Sequence, residues 1–237
     1  ARDNTGGTAF TIACFHGHKD VVKLLLDQPS LNLNIELNLN NGFVTTQGWA
    51  ALATACKDGQ KDVVQLLLDH SERIDPNARN LSGWTALMFA CSNGHKDVVQ
   101  LFLDHSNPIE LNAKNKYRMT AFMYACLKGH KDVVQLLLDH SGPNIELNAK
   151  DAFVRCTAFM ISCEKGHKDI VKLLLDHPNS NIDLNAKDQR TYTAFMMACK
   201  EGHKGVVQLL LDHSDQNIDL NVRTHGFHFS GFTAFMW

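Results

Sequence analysis

Apolar residues in this chain recur in two alternating blocks. The longer block is a stripe of helical spacing: VVKLLL from Val21, VVQLLL from Val63, VVQLFL from Val98, VVQLLL from Val133, IVKLLL from Ile170 and VVQLLL from Val206. The shorter block opens on Thr, runs through small and apolar residues, and closes on Cys. Its copies are Thr8 to Cys14, Ala50 to Cys56, Thr85 to Cys91, Thr120 to Cys126, Thr157 to Cys163 and Thr193 to Cys199, and a seventh runs from Thr233 to Trp237. Their first residues are separated by 42, 35, 35, 37, 36 and 40 positions. A period in the mid-thirties predicts stacked repeats, not a globule around one central core.

The copy from Thr85 to Asn112 shows the parts of one unit. Thr85 is placed to cap a short helix through its hydroxyl, and Leu87, Phe89, Ala90 and Cys91 give that helix its apolar side. Gly94 supplies the left-handed stop. A second helix is predicted from Lys96 to Asp104, with Val98, Val99, Leu101, Phe102 and Leu103 buried and Asp97 at the positive end of the dipole. Ile109 to Lys114 then reads as an extended stretch leading into a polar turn. One helix pair of this size cannot bury its own apolar face, so each unit must be stabilised by its neighbours.

Segments such as TALMFACSNGHKDVVQLFLD from Thr85 and TAFMYACLKGHKDVVQLLLD from Thr120 resemble the ankyrin repeat, as does the hairpin entry IELNAK from Ile109 and Ile145 and IDLNAK from Ile182. The resemblance covers essentially the whole chain. It implies an all-α repeat solenoid of helix-turn-helix units joined by β-hairpin-like turns, in a single domain with units at about 1–38, 39–77, 78–112, 113–148, 149–185 and 186–221 and a partial unit at 222–237. There are departures from the family pattern. Met88, Met123, Met160 and Met196 stand where the family has His, and Cys replaces its second Ala throughout. The glycine before the next Thr, present as Gly48, Gly83 and Gly231, gives way to Arg118 and Thr191, and the unit holding Arg155 and Cys156 has an extra residue there. Those turns are expected to be less regular. Ala50 leaves the second unit without its cap, so Ala50→Thr is expected to stabilise it. The long hairpins at Asn38 to Ala50 and Asn221 to Thr233 are expected to exchange fastest, at 40–46 and 224–229.

Composition narrows the function. A formal charge of −2 with 20% charged residues gives the chain as a whole no large basic field for nucleic acid. No run of 18 apolar residues suggests a membrane span, and the N-terminal residues do not read as a signal peptide. Ala1-Arg2-Asp3 parallels Ala78-Arg79-Asn80, which suggests a segment of a longer array.

Candidate chemistry is sparse. Cys14/His18, Cys91/His95, Cys126/His130, Cys163/His167 and Cys199/His203 share a four-residue spacing that could suit a nucleophile and base or two metal ligands. Units stacked about 8–10 Å apart would leave each pair too far from the next to complete a metal site or to form disulfides. We therefore expect no metal, no cofactor and no catalysis: the Cys packs as a small hydrophobe, and the His, as the resemblance implies, braces the loop. Seven free thiols point to a reducing intracellular compartment, the cytoplasm. Cys156, in a turn, is expected to be the exposed thiol. His70, His105, His140, His177 and His213 close the second helices, where a cation suits the dipole. The resemblance also makes Asn77, Asn112, Asn148, Asn185 and Asn221 candidates for hydroxylation.

The resemblance further implies a protein or peptide partner held on the concave face formed by hairpin tips and first helices, in an interaction scaffold or in the targeting or regulatory arm of a larger protein. The units differ most at these tips. Trp49, Trp84, Met119, Tyr192 and Phe232 precede the motif Thr, and Phe43, Tyr117 and Phe153 lie in the tips. As an apolar stripe along one edge, these eight residues are the expected partner contacts.

Overall fold

The computed structural model describes residues 8–30, 36–38, 44–140, 145–178, 181–213 and 218–220, with side chains outside 36–38 and 44–48. It contains paired helices throughout: α1 (Ala9–Phe15) with α2 (Lys19–Leu26), α3 (Gln47–Lys57) with α4 (Lys61–Leu68), α5 (Ala86–Ser92) with α6 (Lys96–Leu103), α7 (Ala121–Lys128) with α8 (Lys131–Asp139), α9 (Ala158–Glu164) with α10 (Lys168–Asp176), and α11 (Ala194–Lys200) with α12 (Lys204–Asp212). Two short strands, β1 (Glu36–Asn38) and β2 (Val44–Thr46), pair antiparallel with Leu37 opposite Thr45. The chain divides into two compact units, Ala1–Lys116 and Tyr117–Trp237. In the first, α1, α3 and α5 pack in sequence and α2, α4 and α6 do the same; the second repeats this with α7, α9, α11 and with α8, α10, α12.

The threonines cap as their position predicts. The Oγ of Thr85, Thr120, Thr157 and Thr193 accepts from the backbone N–H of Met88, Met123, Met160 and Met196 at 3.2–3.4 Å. Thr8 makes a reciprocal box with Thr11. The core is a column of first-helix side chains: Phe10, Leu52 and Leu87 in one unit, Phe122, Phe159 and Phe195 in the other, all nearly sealed from water. The methionines that stand where the family has His are at most 1% exposed and fill the space beside that column.

Stacking, not the helix pair, buries the second-helix stripe. Val63 and Val98 are 1% exposed behind the preceding pair, whereas the equivalent Val21 of the first described pair is 46% exposed and Leu24 is 63% exposed. The same sequence block is therefore wet or dry according to its neighbour. Asparagine side chains bridge successive hairpins: Asn77 donates to the Pro108 carbonyl at 2.8 Å and accepts from Glu110 N–H at 2.9 Å. Asn148 does the same with Asn181 and Asp183, at 2.7 and 2.9 Å.

Several sequence expectations need correction. Helix α3 starts at Gln47, so Ala50 is an interior residue, 5% exposed. A threonine there would bring a hydroxyl and a poorer helix former into the core, and Ala50→Thr is expected to destabilise. Residues 44–46 are paired as a strand, contrary to an unpaired tip; positions 40–43 and 224–229 lie outside the described residues. The turns lacking glycine are as regular as those that have it. Arg118, Arg155 and Thr191 adopt φ of 56°, 64° and 67°, close to the 76° of Gly83. Turn geometry has overridden the preference of the side chain, at the cost of left-handed strain.

That strain yields a prediction. Thr191→Gly should raise stability by about 0.5–1 kcal/mol, the left-handed penalty of a β-branched residue less the chain entropy glycine loses. An unchanged or lower midpoint in equilibrium denaturation would show that the turn is not strained.

Candidate functional site

Three of the described hairpin tips are built on an Asn or Asp that folds the chain back on itself. Asn80 Oδ1 accepts from Ser82 and Trp84 N–H, both at 2.9 Å. Asp188 Oδ1 accepts from Arg190 at 2.8 Å and Tyr192 at 2.7 Å. Asp151 takes Phe153 and Val154 on Oδ1 and Cys156 on Oδ2, at 2.6–3.0 Å, and this third bond absorbs the extra residue of its turn. Neighbouring tips are tied together by one backbone bond each, Lys116 N–H to Ser82 O at 2.9 Å, and Ala152 to Tyr117 and Gln189 to Val154 at 2.8 Å. These tips stand beside the C-terminal ends of the first helices.

In the second unit the two surfaces enclose an open cleft of about 170 Å³. Val154, Cys156 and Glu164 of one repeat face Asp188, Arg190, Tyr192, Met197, Lys200 and Glu201 of the next. Tyr192 and Met197 form an apolar wall, 9% and 8% exposed. Lys200 and Glu201 pair at 2.8 Å, and this hydrogen bond raises the lysine and lowers the glutamate from their ordinary values. Burial pushes Asp188 above the usual carboxylate range, against the backbone N–H groups that favour its charge.

The expected contact residues fall into three groups. Trp49, Met119 and Tyr192 are 5%, 9% and 9% exposed, which corrects the expectation of an exposed stripe at those positions. Trp49 lies inside α3 and meets Phe89 edge-on at 6.2 Å, and Trp84 covers the same ring at 4.7 Å. Trp84 and Tyr117 are half-buried, and Phe153, stacked on Tyr117 at 5.2 Å, is 65% exposed. Phe43 and Phe232 lie outside the described residues. Sequence reading left Leu81, 68% exposed at its tip, and Val154, 41% exposed, out of the apolar stripe, although both occupy variable tip positions. It also missed the cleft, because Tyr192 looks like a tip residue and Met197 like a core residue until their two elements are brought together.

Burial disfavours the thiolate at six of the cysteines. Cys156 is 2% exposed and not the exposed thiol its turn suggested; burial and the nearby carboxylates Asp151, Asp188 and Glu164 push it up to about 12. Burial alone takes Cys14 to about 12 and dominates in raising Cys56, Cys126, Cys163 and Cys199. The histidines near them brace neighbouring repeats. Nε2 of His95 lies 2.8 Å from Lys57 O, that of His167 3.2 Å from Leu127 O, and that of His203 2.8 Å from Glu164 O. A carbonyl only accepts, so each Nε2 carries the proton. The second row of histidines also does more than face a dipole. His105 reaches Leu68 O at 3.2 Å, His213 reaches Asp176 at 3.2 Å, and His177 lies 3.9 Å from Asp139.

Asp188 provides a test of this turn chemistry, because Asn80 fills the same role with no charge. A raised folded value means the ionised form is disfavoured by folding, a cost that grows as pH rises through that value and is absent below the ordinary range. Asp188→Asn should therefore match or exceed the parent's stability at pH 7 and converge with it in acid. Asp188→Ala, which strands two N–H groups, should lose about 1–2 kcal/mol at either pH. Denaturant titrations at both pH values would decide; a destabilised Asn variant at pH 7 would contradict the assignment.

Family comparison agrees with this architecture. The family model described as "Ankyrin repeats (3 copies)" matches residues 1–80, 71–151 and 144–224. No curated protein matches the chain closely enough to serve as a relative. Capped first helices, glycine stops, bracing histidines and hairpins recur at the matched spacing, and the chain belongs to the ankyrin repeat family.

Proposed function

We propose that this chain is a non-enzymatic protein-interaction module whose hairpin tips and first-helix ends form the contact surface. Ankyrin repeats are in general protein–protein interaction modules. One observation supports the finer reading: the recurring threonines and histidines are spent on backbone groups, while several positions that vary at the tips carry exposed side chains. Leu81, Phe153 and Val154 are large apolar groups turned to solvent. Trp84 and Tyr117 flank them with half-exposed rings of the kind that dominate binding energy. Raised thiols at Cys163 and Cys199, beside His167 and His203 whose Nε2 is spent on carbonyls, favour a binding role over a catalytic one. Among those residues, too, no helix is long and apolar enough to cross a membrane. The same surface would serve a targeting or regulatory arm of a larger protein, and seven unpaired cysteines fit a reducing, cytoplasmic setting.

A photo-crosslinker at position 153 should capture the partner in lysate. Phe153→Ala and Trp84→Ala should each weaken the purified complex by more than about 1 kcal/mol with the far-ultraviolet circular dichroism unchanged. If neither affects binding while substitutions at exposed Asp169 or Lys172 on α10 do, the contact surface lies on the second helices and this reading is wrong.

A further inference from the structure

The chain's overall charge of −2 conceals an uneven distribution. In the second unit each repeat places one arginine at its hairpin tip and one lysine near the end of its first helix: Arg118 with Lys128, Arg155 with Lys165, and Arg190 with Lys200, all exposed. The nearby carboxylates do not answer them in full. Asp151 and Asp188 are turned into their own loops, accepting backbone N–H groups. Glu164 and Glu201 pair with adjacent lysines, Lys165 at 3.7 Å and Lys200 at 2.8 Å. Among the described residues, Arg118, Lys128 and Arg155 make no ion pair, while Arg190 lies close enough to Asp188 to favour its charged form. On the second helices Lys131, Lys168, Lys172 and Lys204 nearly balance Asp132, Asp139, Asp169, Asp176 and Asp212, and the loops that follow add Glu146, Asp183 and Asp219.

Among the described residues the ladder is incomplete in the first unit, which keeps Lys57 at the position of Lys200. Gly83 stands where Arg118 and Arg155 stand, and His16, Asp58 and Asn93 where Lys128 and Lys165 stand. Arg118 and Arg155 are also held at left-handed φ, where glycine would sit without strain. Strain of this kind is kept where the side chain has a use. Beside the ladder, the cleft walled by Tyr192 and Met197 is large enough for one apolar side chain, and Phe153 and Val154 form an exposed apolar surface on the neighbouring tip.

We propose that the groove of the second unit binds an acidic, extended protein segment, its carboxylates meeting the arginine–lysine ladder and one apolar side chain seated in the Tyr192–Met197 cleft. This rests on the hairpin tips and first-helix ends being the partner face. Charge complementarity selects the partner class, since a basic segment would meet the unpaired Arg118, Lys128 and Arg155. Repeats packed about 10 Å apart match about three residues of extended chain, so the segment carries an acidic residue at about every third position.

The test uses the full chain and fluorescein-labelled peptides of about 12 residues, with Glu at every third position, one central Leu and Ser elsewhere. Anisotropy should show binding of the Glu peptide that weakens with added salt, and none of its Lys counterpart. Arg155→Glu with Lys165→Glu should weaken it about tenfold or more. Lys168→Glu with Lys172→Glu, the same charge change on α10, should not. Arg155→Gly removes a charge while relieving strain, so its loss of affinity with retained stability excludes misfolding as the cause. The proposal is overturned if the Glu peptide binds no tighter than the Lys peptide, if both double variants lose affinity equally, or if an oligothymidylate of similar length binds the ladder as tightly. Peptide display on the chain separates this from the interaction reading. Enriched sequences that depend on Phe153 but carry no acidic excess overturn the charge inference alone. Enriched sequences indifferent to every groove substitution overturn both.

Discussion

The structure depends on the contact between a glycine in the left-handed region and the imidazole or amide of the next repeat. A Cβ on Gly166 would come within 2.6 Å of the His203 ring, one on Gly59 within 2.6 Å of His95, and one on Gly17 within 2.2 Å of the Gln60 amide. Glycine is required there twice over, for φ near 70° and for the space the neighbouring side chain fills. That side chain then bonds a carbonyl at or near the end of the preceding first helix, one of the acceptors an α-helix leaves unsatisfied. Loop geometry, helix capping and the register between repeats are thus fixed by one residue pair. Without that register the column of Phe122, Phe159 and Phe195 would not align.

Because the frame is held by buried threonines, glycines, histidines and hairpin asparagines, the tip side chains are released from structural duty. Asp151 and Asp188 define the tip backbone by accepting its N–H groups, and what the tip displays can change without changing the turn. Leu81 stands at one tip, Phe153 and Val154 at another, and Arg190 at a third. The second unit adds two rows of cations beside an apolar cleft. A surface of mixed apolar anchors and cations is suited to recognition.

Repeat period, helix pairing and caps were all legible in the sequence, because each rests on a local rule that recurs: a hydroxyl before a helix, a glycine after it, a stripe at helical spacing. Local rules failed where neighbouring segments decided the outcome. Ala50 looks like a missing cap only if α3 is assumed to begin where its counterparts do, and the helix begins four residues earlier, at Gln47. Arg118, Arg155 and Thr191 look unsuited to a glycine position, yet the Asn/Asp-based turn and the bond to the adjacent tip hold them there. Trp49, Met119 and Tyr192 look like tip residues, but they are buried, Trp49 against Phe89 of the next repeat. The cleft is invisible in any single repeat, because its walls come from two.

The claim on which the rest stands is that each repeat is stabilised by its neighbour through this glycine–histidine contact. Native-state hydrogen exchange on His203→Ala tests it most directly. The account predicts faster exchange across the repeat boundary, at the amides of Lys165, Gly166 and His167 that close α9, where loss of the imidazole leaves the Glu164 carbonyl without its donor and Gly166 without its cover. Acceleration confined to α11 and α12, with the end of α9 unchanged, would contradict it.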